Sequence, residues 1–437
     1  MSSEADTGPL PLAQRLSEPA IADAVSYAVD QMTPEYVARP ETVDDLTGLI
    51  KSAAADGAAI IPWGGGTQMG LGNVPERYRL GVDLTGLNEV LRYDPDDMTM
   101  SVQAGCRLQD LNLMLRENRQ ILPVDAAYPE QATIGGLVAV GASGPRRLGY
   151  GPLRDLIIGM TVLMADGTVA TAGGQVVKNV TGYDMMRLHH GALGSLGIVV
   201  SVNLKVIPRP QSERTVVATY QTLKDADRAA LDVAASQLGV TALVVTNPEA
   251  TAEGTGVRGR FWGLAVRCEA PPSAVVRQAE RVVQYIQASA EEVFTEESSD
   301  ESDARWQHIC RAIDQRRDSP DIAVRLGIRT SRTRDNAGSL LDELKSFGLS
   351  RLTLDYGSAL GYLRFPGSEI TSEDFTEIVR ACNRYGDHVT VMTAPAEWKH
   401  AIDVFGSRPA GFSMIESLKA NLDPDRLLNP GRSVGRL

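Results

Sequence analysis

Three glycine-rich segments lie where predicted β-strands end or begin, at residues 62–67 (PWGGGT), 132–136 (ATIGG) and 191–197 (GALGSLG). Glycine has no Cβ, so successive backbone N–H groups in such a segment can converge on an anion, and Thr67 adds a hydroxyl donor. One such segment alone is typical of an ordinary turn. Three of them in one stretch of the chain favour a site for a large cofactor that carries phosphate.

Two common nucleotide-binding motifs do not account for these segments. The P-loop pattern GxxxxGK[ST] does not occur in the sequence. Residues 254–259 (GTGVRG) match the dinucleotide fingerprint, but they follow a polar stretch and precede a predicted strand at Phe261. A dinucleotide fingerprint must leave a strand and open a helix, so we interpret residues 254–259 as a flexible hairpin loop.

The elements around the first glycine segment can be predicted from their patterns. Thr42 and Asp45 have the spacing of a capping box, and apolar residues at helical spacing follow as far as Ala53. Gly57 is the predicted helix end, and residues 58–61 form a buried strand that runs into PWGGGT. Further on we predict a strand at 98–104, a helix at 108–115, a type I′ hairpin turn at Asp166-Gly167 and a strand at 198–206.

The pattern changes after the sequence Pro208-Arg209-Pro210, which we interpret as a domain boundary. Two similar series of strands and helices follow, which predict an antiparallel sheet with helices on one face. The acidic run at 291–303 separates them and is interpreted as a solvated loop before a short helix at 306–316. The predicted strands are 215–220, 242–246, 261–267, 322–330, 351–356, 360–365 and 389–393, and the predicted helices are 224–237, 274–288, 337–347 and 373–385.

Composition excludes several classes of function. The 437 residues suggest two or three domains, and a hydrophobic fraction of 43% is ordinary for a globular protein. The net charge of −12 argues against nucleic acid or an anionic membrane as a partner. The four cysteines form no CxxC pair, no apolar run reaches the length of a membrane span, and the N-terminus lacks the features of a secretory signal. We therefore expect a cytoplasmic protein.

Five motifs in order resemble the vanillyl-alcohol oxidase/p-cresol methylhydroxylase superfamily of flavoproteins. They are residues 62–67, 133–136 (TIGG), 178–184 (KNVTGYD), 194–198 (GSLGI) and the final 421–431 (NLDPDRLLNPG). Within it the motifs are most similar to the FAD-binding E subunits of bacterial glycolate oxidases and to D-lactate dehydrogenases. The resemblance is a specific signal for FAD and a weaker one for substrate.

The resemblance implies an α+β fold, with a two-lobed FAD-binding domain and an α+β cap domain built on an antiparallel sheet. We expect an N-terminal lead-in at 1–30, the FAD-binding domain at 31–211, the cap at 212–410 and a segment at 411–437 that returns to the FAD domain. It also implies FAD-binding residues: Pro62, Gly64, Gly65, Gly66, Thr67 and Gln68 around the pyrophosphate, Pro123, Thr133, Gly135, Gly136 and Ser143 on the other side, and Gly194 and Ile198 near the adenosine half. Tyr183 and Asp184 would brace a loop, or simply begin a helix that packs into the domain.

Two features depart from the superfamily pattern. The first glycine segment offers no histidine or cysteine for a covalent tether, so we expect non-covalent FAD, with Cys106 a small buried residue. The closely spaced histidine pair by which relatives bind a divalent metal is absent beyond Pro210, so no metal site is predicted. His189-His190 is interpreted as a packed neutral pair, with a proton relay as the alternative.

Oxidation of a 2-hydroxy acid needs an anchor for the carboxylate and a base for the hydroxyl proton. The candidates in the cap are Arg325 and Arg329 on one strand, with Tyr356, Tyr362 and Arg364 on the next hairpin, although each arginine could equally be an ordinary surface residue.

The leading hypothesis is an FAD-dependent oxidoreductase subunit for glycolate or D-lactate. By resemblance it would act with a paralogous flavoprotein and an iron–sulfur subunit, through which it could lie peripherally at the inner membrane. The alternatives are a non-catalytic flavin subunit for electron relay or assembly, and a stand-alone alcohol or sugar-lactone oxidase.

Overall fold

The computed structural model describes residues 10–16, 24–142, 144–174, 183–250, 260–296, 298–313, 321–328 and 333–437. Within them lie three larger β-sheets, with a two-stranded ladder between β6 (Gln120–Ile121) and β10 (Ile207–Pro208). The predicted α+β class is confirmed. Residues 143 and 175–182 and the GTGVRG string at 254–259 lie outside the described residues.

The first sheet is small and parallel and leads directly into the first glycine segment. Its strands are β1 (Tyr36–Ala38), β2 (Ile60–Trp63) and β3 (Leu80–Asp83), in the order β1-β3-β2. Helix α2 (Val43–Ala55) packs on it and begins as predicted, because the Thr42 side chain accepts the N–H of Asp45 at 3.1 Å. The C-terminal segment extends the sheet, since Ile60 N donates to Leu427 O and Asn429 N donates to Ile60 O, both at 2.7 Å.

The second sheet is antiparallel and carries the other two glycine segments beside it. Helices α3 (Leu108–Glu117) and α4 (Ile134–Val140) share its buried core. At the predicted hairpin only Gly167 has a positive φ, at 82°, so the type I′ prediction is wrong. Asp166 instead accepts the N–H of Thr168 in an Asx turn, in a longer loop. The strands, in sheet order, are β4 (Val90–Asp94), β5 (Thr99–Gln103), β9 (Ile198–Lys205), β7 (Ile157–Leu163) and β8 (Val169–Gly173).

The third sheet is antiparallel throughout and follows the two predicted series closely. One face packs against helices α7 (Leu223–Ala235), α8 (Pro272–Ile286), α10 (Thr333–Leu344) and α11 (Ser372–Tyr385). The eight strands, in sheet order, are β14 (Glu292–Glu296), β11 (Ser212–Tyr220), β13 (Trp262–Ala270), β12 (Ala242–Thr246), β16 (Arg351–Asp355), β17 (Leu360–Phe365), β15 (Ile322–Gly327) and β18 (His388–Thr393).

The second face of this sheet corrects two predictions. Helix α9 (Ser299–Ile313) packs Trp306 and Ile309 on that face, so helices cover both faces rather than one. The acidic run is not a loop, because it forms β14 and the start of α9. Two of its acids are paired, since Glu296 bonds Arg305 and Asp303 lies 2.9 Å from Arg267. Glu291, Glu292, Asp300 and Glu301 are exposed, as the prediction of a solvated segment requires.

Shorter helices connect these layers. The remaining ones are α1 (Leu12–Arg15), α5 (Arg147–Tyr150), α6 (Met186–His189), α12 (Ala396–Lys399) and α13 (Phe412–Leu422). Helix α5 contacts the start of β12, where Gly149 N donates to Thr241 O at 3.2 Å, and its Leu148 packs against the core beneath α7, α8, α10 and α11.

Candidate active site and cofactor cavity

The three glycine segments surround one cavity of about 810 Å³, which we call the glycine-loop cavity. Pro123 does not line it, and Ser143 lies outside the described residues. The other predicted FAD-binding residues all line it: Pro62, Gly64, Gly65, Gly66, Thr67, Gln68, Thr133, Gly135, Gly136, Gly194 and Ile198.

Close backbone packing explains why glycine is needed in the first segment. A Cβ on Gly65 would lie 1.8 Å from the carbonyl oxygen of Gln131, and one on Gly64 would lie 2.2 Å from Thr133 Oγ1. Gly66 has a φ of +70°, which a side chain disfavours. The loop after β2 therefore lies directly on the segment that enters α4, and two of the three glycine segments form one continuous wall.

This wall presents hydrogen-bond donors. Thr133 Oγ1 accepts the N–H of Gly136 at 3.3 Å, which caps α4. Within the described part of the chain, the N–H groups of Gly64, Gly65 and Gly66 donate to no protein acceptor. Free amides in a glycine loop suit phosphate oxygens, so the residues present fit the pyrophosphate of a dinucleotide.

Two residues of the C-terminal segment complete the cavity, and the sequence analysis had not assigned them to it. Asn429 donates from Nδ2 to the carbonyl of Leu193 at 2.5 Å. Arg432 donates from Nη2 to the carbonyls of Met69 at 2.7 Å and Leu71 at 2.5 Å. The sequence NPGR at 429–432 indicates a turn, and Asn429 does adopt a left-handed conformation. The sequence did not indicate which residues this turn contacts, because they lie far away along the chain.

Two buried lysines bond the loop after the first glycine segment and the third glycine segment, on the side away from the cavity. Lys399 Nζ lies 2.8 Å from Asp30 Oδ1 and donates to the carbonyl of Gly70 at 2.8 Å. Lys419 Nζ donates to the carbonyl of Ser195 at 2.7 Å. Burial lowers the pKa of both ammonium groups. These lysines bond backbone carbonyls outside the cavity lining, so they fix loop shape.

A second cavity, of about 1100 Å³, adjoins the first and lies against the second face of the third sheet. We call it the cap cavity. Gln68 and Val140 line both cavities, so a molecule in one can touch a molecule in the other. From the third sheet, Arg325, Tyr362 and His388 line the cap cavity.

Sheet register brings these three side chains together. Arg325 on β15 pairs directly with Tyr362 on β17, and Gly327 pairs with His388 on β18. Residues 325 and 327 share a face because side chains alternate along a strand. An arginine, a tyrosine and a histidine thus converge from three adjacent strands.

The imidazole of His388 lies close to the backbone of Gly327. A Cβ added to Gly327 would be only 2.2 Å from His388 Cε1, so the imidazole occupies the space that a side chain at 327 would need. Partial burial, and secondarily the charge of Arg325, lower the pKa of this imidazole. A neutral imidazole near pH 7 can accept a proton. His388 was not among the predicted catalytic candidates, because its neighbours in the site come from other strands.

The other predicted catalytic candidates do not join this group. Tyr356 lies on the opposite side of the third sheet, in the core beneath α7, α8, α10 and α11, where its hydroxyl donates to Asp227 Oδ1 at 2.5 Å. Arg364 donates to the carbonyls of Arg311 and Ala312 at the end of α9. Strand β15 ends at Gly327, and Arg329 lies outside the described residues.

The remaining residues discussed in the sequence analysis lie outside the group formed by Arg325, Tyr362 and His388. His189 and His190 are largely buried, and burial lowers the pKa of both, which fits a packed neutral pair. Cys106 is buried with its thiol directed to the carbonyl of Glu89 at 3.4 Å, and burial raises its pKa to about 11. Tyr183 is 93% exposed, so it does not pack into the domain, and Asp184 instead pairs with Arg187 at 2.7 Å.

The described residues also bear on metal binding and membrane insertion. No group of three or more His, Cys, Asp or Glu side chains in this part of the chain is arranged to hold a metal ion. Among the described helices, none combines the length and apolar character required to span a membrane.

Similarity to known proteins agrees with this geometry. A family profile described as the FAD binding domain matches residues 34–173. An alkyldihydroxyacetonephosphate synthase structure superposes with a TM-score of 0.68 at 19% identity, covering 92% of this chain and 78% of the other. The chain thus carries an FAD-binding domain of the vanillyl-alcohol oxidase/p-cresol methylhydroxylase type.

Proteins of similar sequence indicate which class of flavoprotein the chain resembles. Glycolate oxidase subunit GlcD of Bacillus subtilis is 24% identical over 93% of this chain and 90% of its own length. D-2-hydroxyglutarate dehydrogenase of Xanthomonas citri pv. viticola is 34% identical over 42% of this chain and 39% of its own length. Glycolate oxidase subunit GlcE of Escherichia coli is 38% identical, over only 28% of this chain and 35% of its own length. The chain is an FAD-dependent oxidoreductase, and the expected E-subunit identity is not confirmed, because the similarity that spans nearly the full length is to a D subunit.

Proposed function

We propose that this protein oxidises a small 2-hydroxy acid, glycolate or D-lactate, in the cap cavity. The observation that carries the proposal is the convergence of Arg325, Tyr362 and His388 on a cavity that shares Gln68 and Val140 with the glycine-loop cavity. The similarity to glycolate oxidase and 2-hydroxy-acid dehydrogenase sequences supports the same substrate class.

Each of the three side chains suits one requirement of the reaction. Arg325 is a fixed cation that can bind the substrate carboxylate, and its Nε has no hydrogen-bond partner among the described residues. His388, held neutral, can take the hydroxyl proton. Tyr362, cross-strand from Arg325, can hydrogen-bond the substrate and hold its orientation. Bound FAD supplies the hydride acceptor.

The test is anaerobic flavin reduction by the purified holoprotein. Glycolate or D-lactate should bleach the visible absorption band of the oxidised flavin, whereas L-lactate should not. Arg325→Met should weaken substrate binding and raise the KM strongly, with FAD content unchanged, because Arg325 does not line the glycine-loop cavity. Arg351→Met is a matched control, since Arg351 lies on β16 outside the cap cavity. Bleaching by an alcohol or sugar lactone but no hydroxy acid would refute the substrate class and favour a stand-alone oxidase.

A second candidate is a flavin subunit that relays electrons within a complex. The local similarity to GlcE favours it, and it corresponds to the E-subunit hypothesis. In this case a paralogous flavoprotein and an iron–sulfur subunit would be the partners, and any contact with the inner membrane would be peripheral and made through them. Reduction by hydroxy acid only after co-purified partners are added would support the relay, while reduction of the isolated chain would exclude it.

A further inference from the structure

The glycine-loop cavity contains a single formal charge among its described lining residues, the guanidinium of Arg432. The rest of the lining consists of glycine, apolar and neutral polar residues. Arg432 is only 3% exposed and comes from the turn after Asn429. A buried cation normally has an anionic partner, because removing a charge from water is costly.

No carboxylate of the described chain pairs with Arg432. Its hydrogen bonds go to the carbonyls of Met69 and Leu71 and, at 3.5 Å, to Asn429 Oδ1. Its Nε has no hydrogen-bond partner among the described atoms. The acid that acts on it electrostatically, Asp30, is already bonded by Lys399 at 2.8 Å. Among the described residues, neutral oxygens and a carboxylate already bonded to a lysine are therefore all that offset the positive charge of Arg432.

We propose that Arg432 is the electrostatic counterpart of the FAD pyrophosphate. The amides of Gly64, Gly65 and Gly66 and the guanidinium of Arg432 then border the same cavity, and two phosphate charges compensate one buried cation. Arg432 has a second effect through the loop, because its bonds to Met69 and Leu71 fix the chain that follows the glycines. Burial lowers the pKa of Arg432, because the charged guanidinium loses its hydration. A phosphate anion in the cavity would stabilise that charge.

Arg436 offers a matched control. It is another C-terminal arginine, and its Nη2 donates to the carbonyls of Lys399, His400 and Ile402 at 3.1, 2.8 and 2.7 Å. It does not line the glycine-loop cavity. The two arginines share a carbonyl-bridging role and differ in their access to the cofactor.

The experiment measures equilibrium release of FAD from the holoprotein by flavin fluorescence, and displacement of FAD by ADP or by adenosine. Arg432→Gln should weaken FAD binding by about 10- to 100-fold, the range for losing a charged hydrogen-bonding partner. It should weaken ADP by a similar factor and leave adenosine unchanged, because adenosine has no phosphate. Arg432→Lys, which keeps the charge, should retain most of the preference for ADP. Arg436→Gln should leave the ratio of ADP to adenosine affinity unchanged.

Three results would overturn the proposal. The first is an ADP affinity that is unchanged in Arg432→Gln. The second is an equal fall in the affinities for ADP and adenosine, which would indicate a purely structural role. The third is a wild-type protein that binds ADP and adenosine equally well. Arg432→Met is the second neutral variant if the glutamine variant does not fold. None of these measurements depends on the hydroxy-acid substrate, so a failure of the proposed function would not affect them.

Discussion

Gly65 shows at the scale of one residue how the cofactor cavity depends on backbone contact. Glycines in the segment at 62–67 let backbone amides approach a phosphate. The structure adds a second reason, since the missing Cβ of Gly65 is what lets the loop rest on the carbonyl of Gln131. Residue 65 must therefore lack a side chain both on the side that faces the cavity and on the side that contacts Gln131.

We therefore predict that Gly65→Ala already abolishes FAD retention, because its Cβ would lie 1.8 Å from Gln131 O and the loop must move. The measurement is the ratio of flavin to protein absorbance after purification. Gly338→Ala is the control, since nothing lies within 4 Å of a Cβ there. A Gly65→Ala protein with full flavin content would contradict the close packing.

His388 gives a prediction of pH dependence. Its imidazole has a lowered pKa, and a base must be deprotonated to act, so kcat/KM should fall as the pH drops through that pKa. The acidic limb should lie below the ordinary histidine value of about 6.5. His388→Gln should remove this limb along with most of the activity. A limb that persists in the variant would assign the base to another group.

At the scale of elements, local patterns predicted most helices and strands, because caps, turns and apolar spacing are encoded nearby in the chain. The helix from Val43 and the strand from Ile198 are examples. The acidic run failed for a nonlocal reason. Strand β14 forms because it pairs with β11, in a register that joins Glu296 to Thr215, 81 residues earlier in the chain. Glu296 is paired with Arg305 of α9.

The same reason limited the prediction of the site. Cofactor residues within glycine segments carried their own signal, whereas Arg432 and His388 are defined by partners from distant strands and loops. Tyr356 was a poor candidate because the sequence did not reveal which face of the sheet it would occupy.

Helix α13 and the turn after it provide a prediction for an element. Asp423 is fully buried, lies 2.6 Å from Lys419 Nζ and accepts the N–H groups of Leu427 and Leu428. Asp423→Ala leaves Lys419 buried without its counterion, so the free energy of unfolding should fall by about 3–5 kcal/mol. Urea unfolding of the holoprotein measures this.

The control for this prediction is Asp342→Ala, which removes the exposed partner of Lys345 and should change stability little. FAD should also be released faster from the Asp423 variant, because Lys419 holds the carbonyl of Ser195 beside the cavity. Equal stability of the two variants would show that the buried pair contributes nothing.

At the scale of the whole molecule, the third sheet and the segments at 125–127 and 140–147 border the cap cavity. The three glycine segments and the C-terminal turn enclose the glycine-loop cavity. No histidine or cysteine lines the described glycine-loop cavity. In the cap cavity, Cys310 and His388 are the side chains that could form a tether.

We predict that unfolding releases intact FAD. After acid precipitation the flavin should remain in the supernatant, and the denatured polypeptide should show no flavin fluorescence on a gel. Fluorescence that stays with the polypeptide, and that is lost in Cys310→Ser, would instead reveal a covalent bond.

The bond from Asn429 to Leu193 joins residues 236 positions apart. During synthesis, the glycine segments therefore leave the ribosome long before the residues that close their cavity. A nascent chain that ends before Arg432 can present the loops but neither the buried charge nor the clamp on Met69 and Leu71. We therefore expect stable binding of the cofactor only after the chain has been translated through that turn.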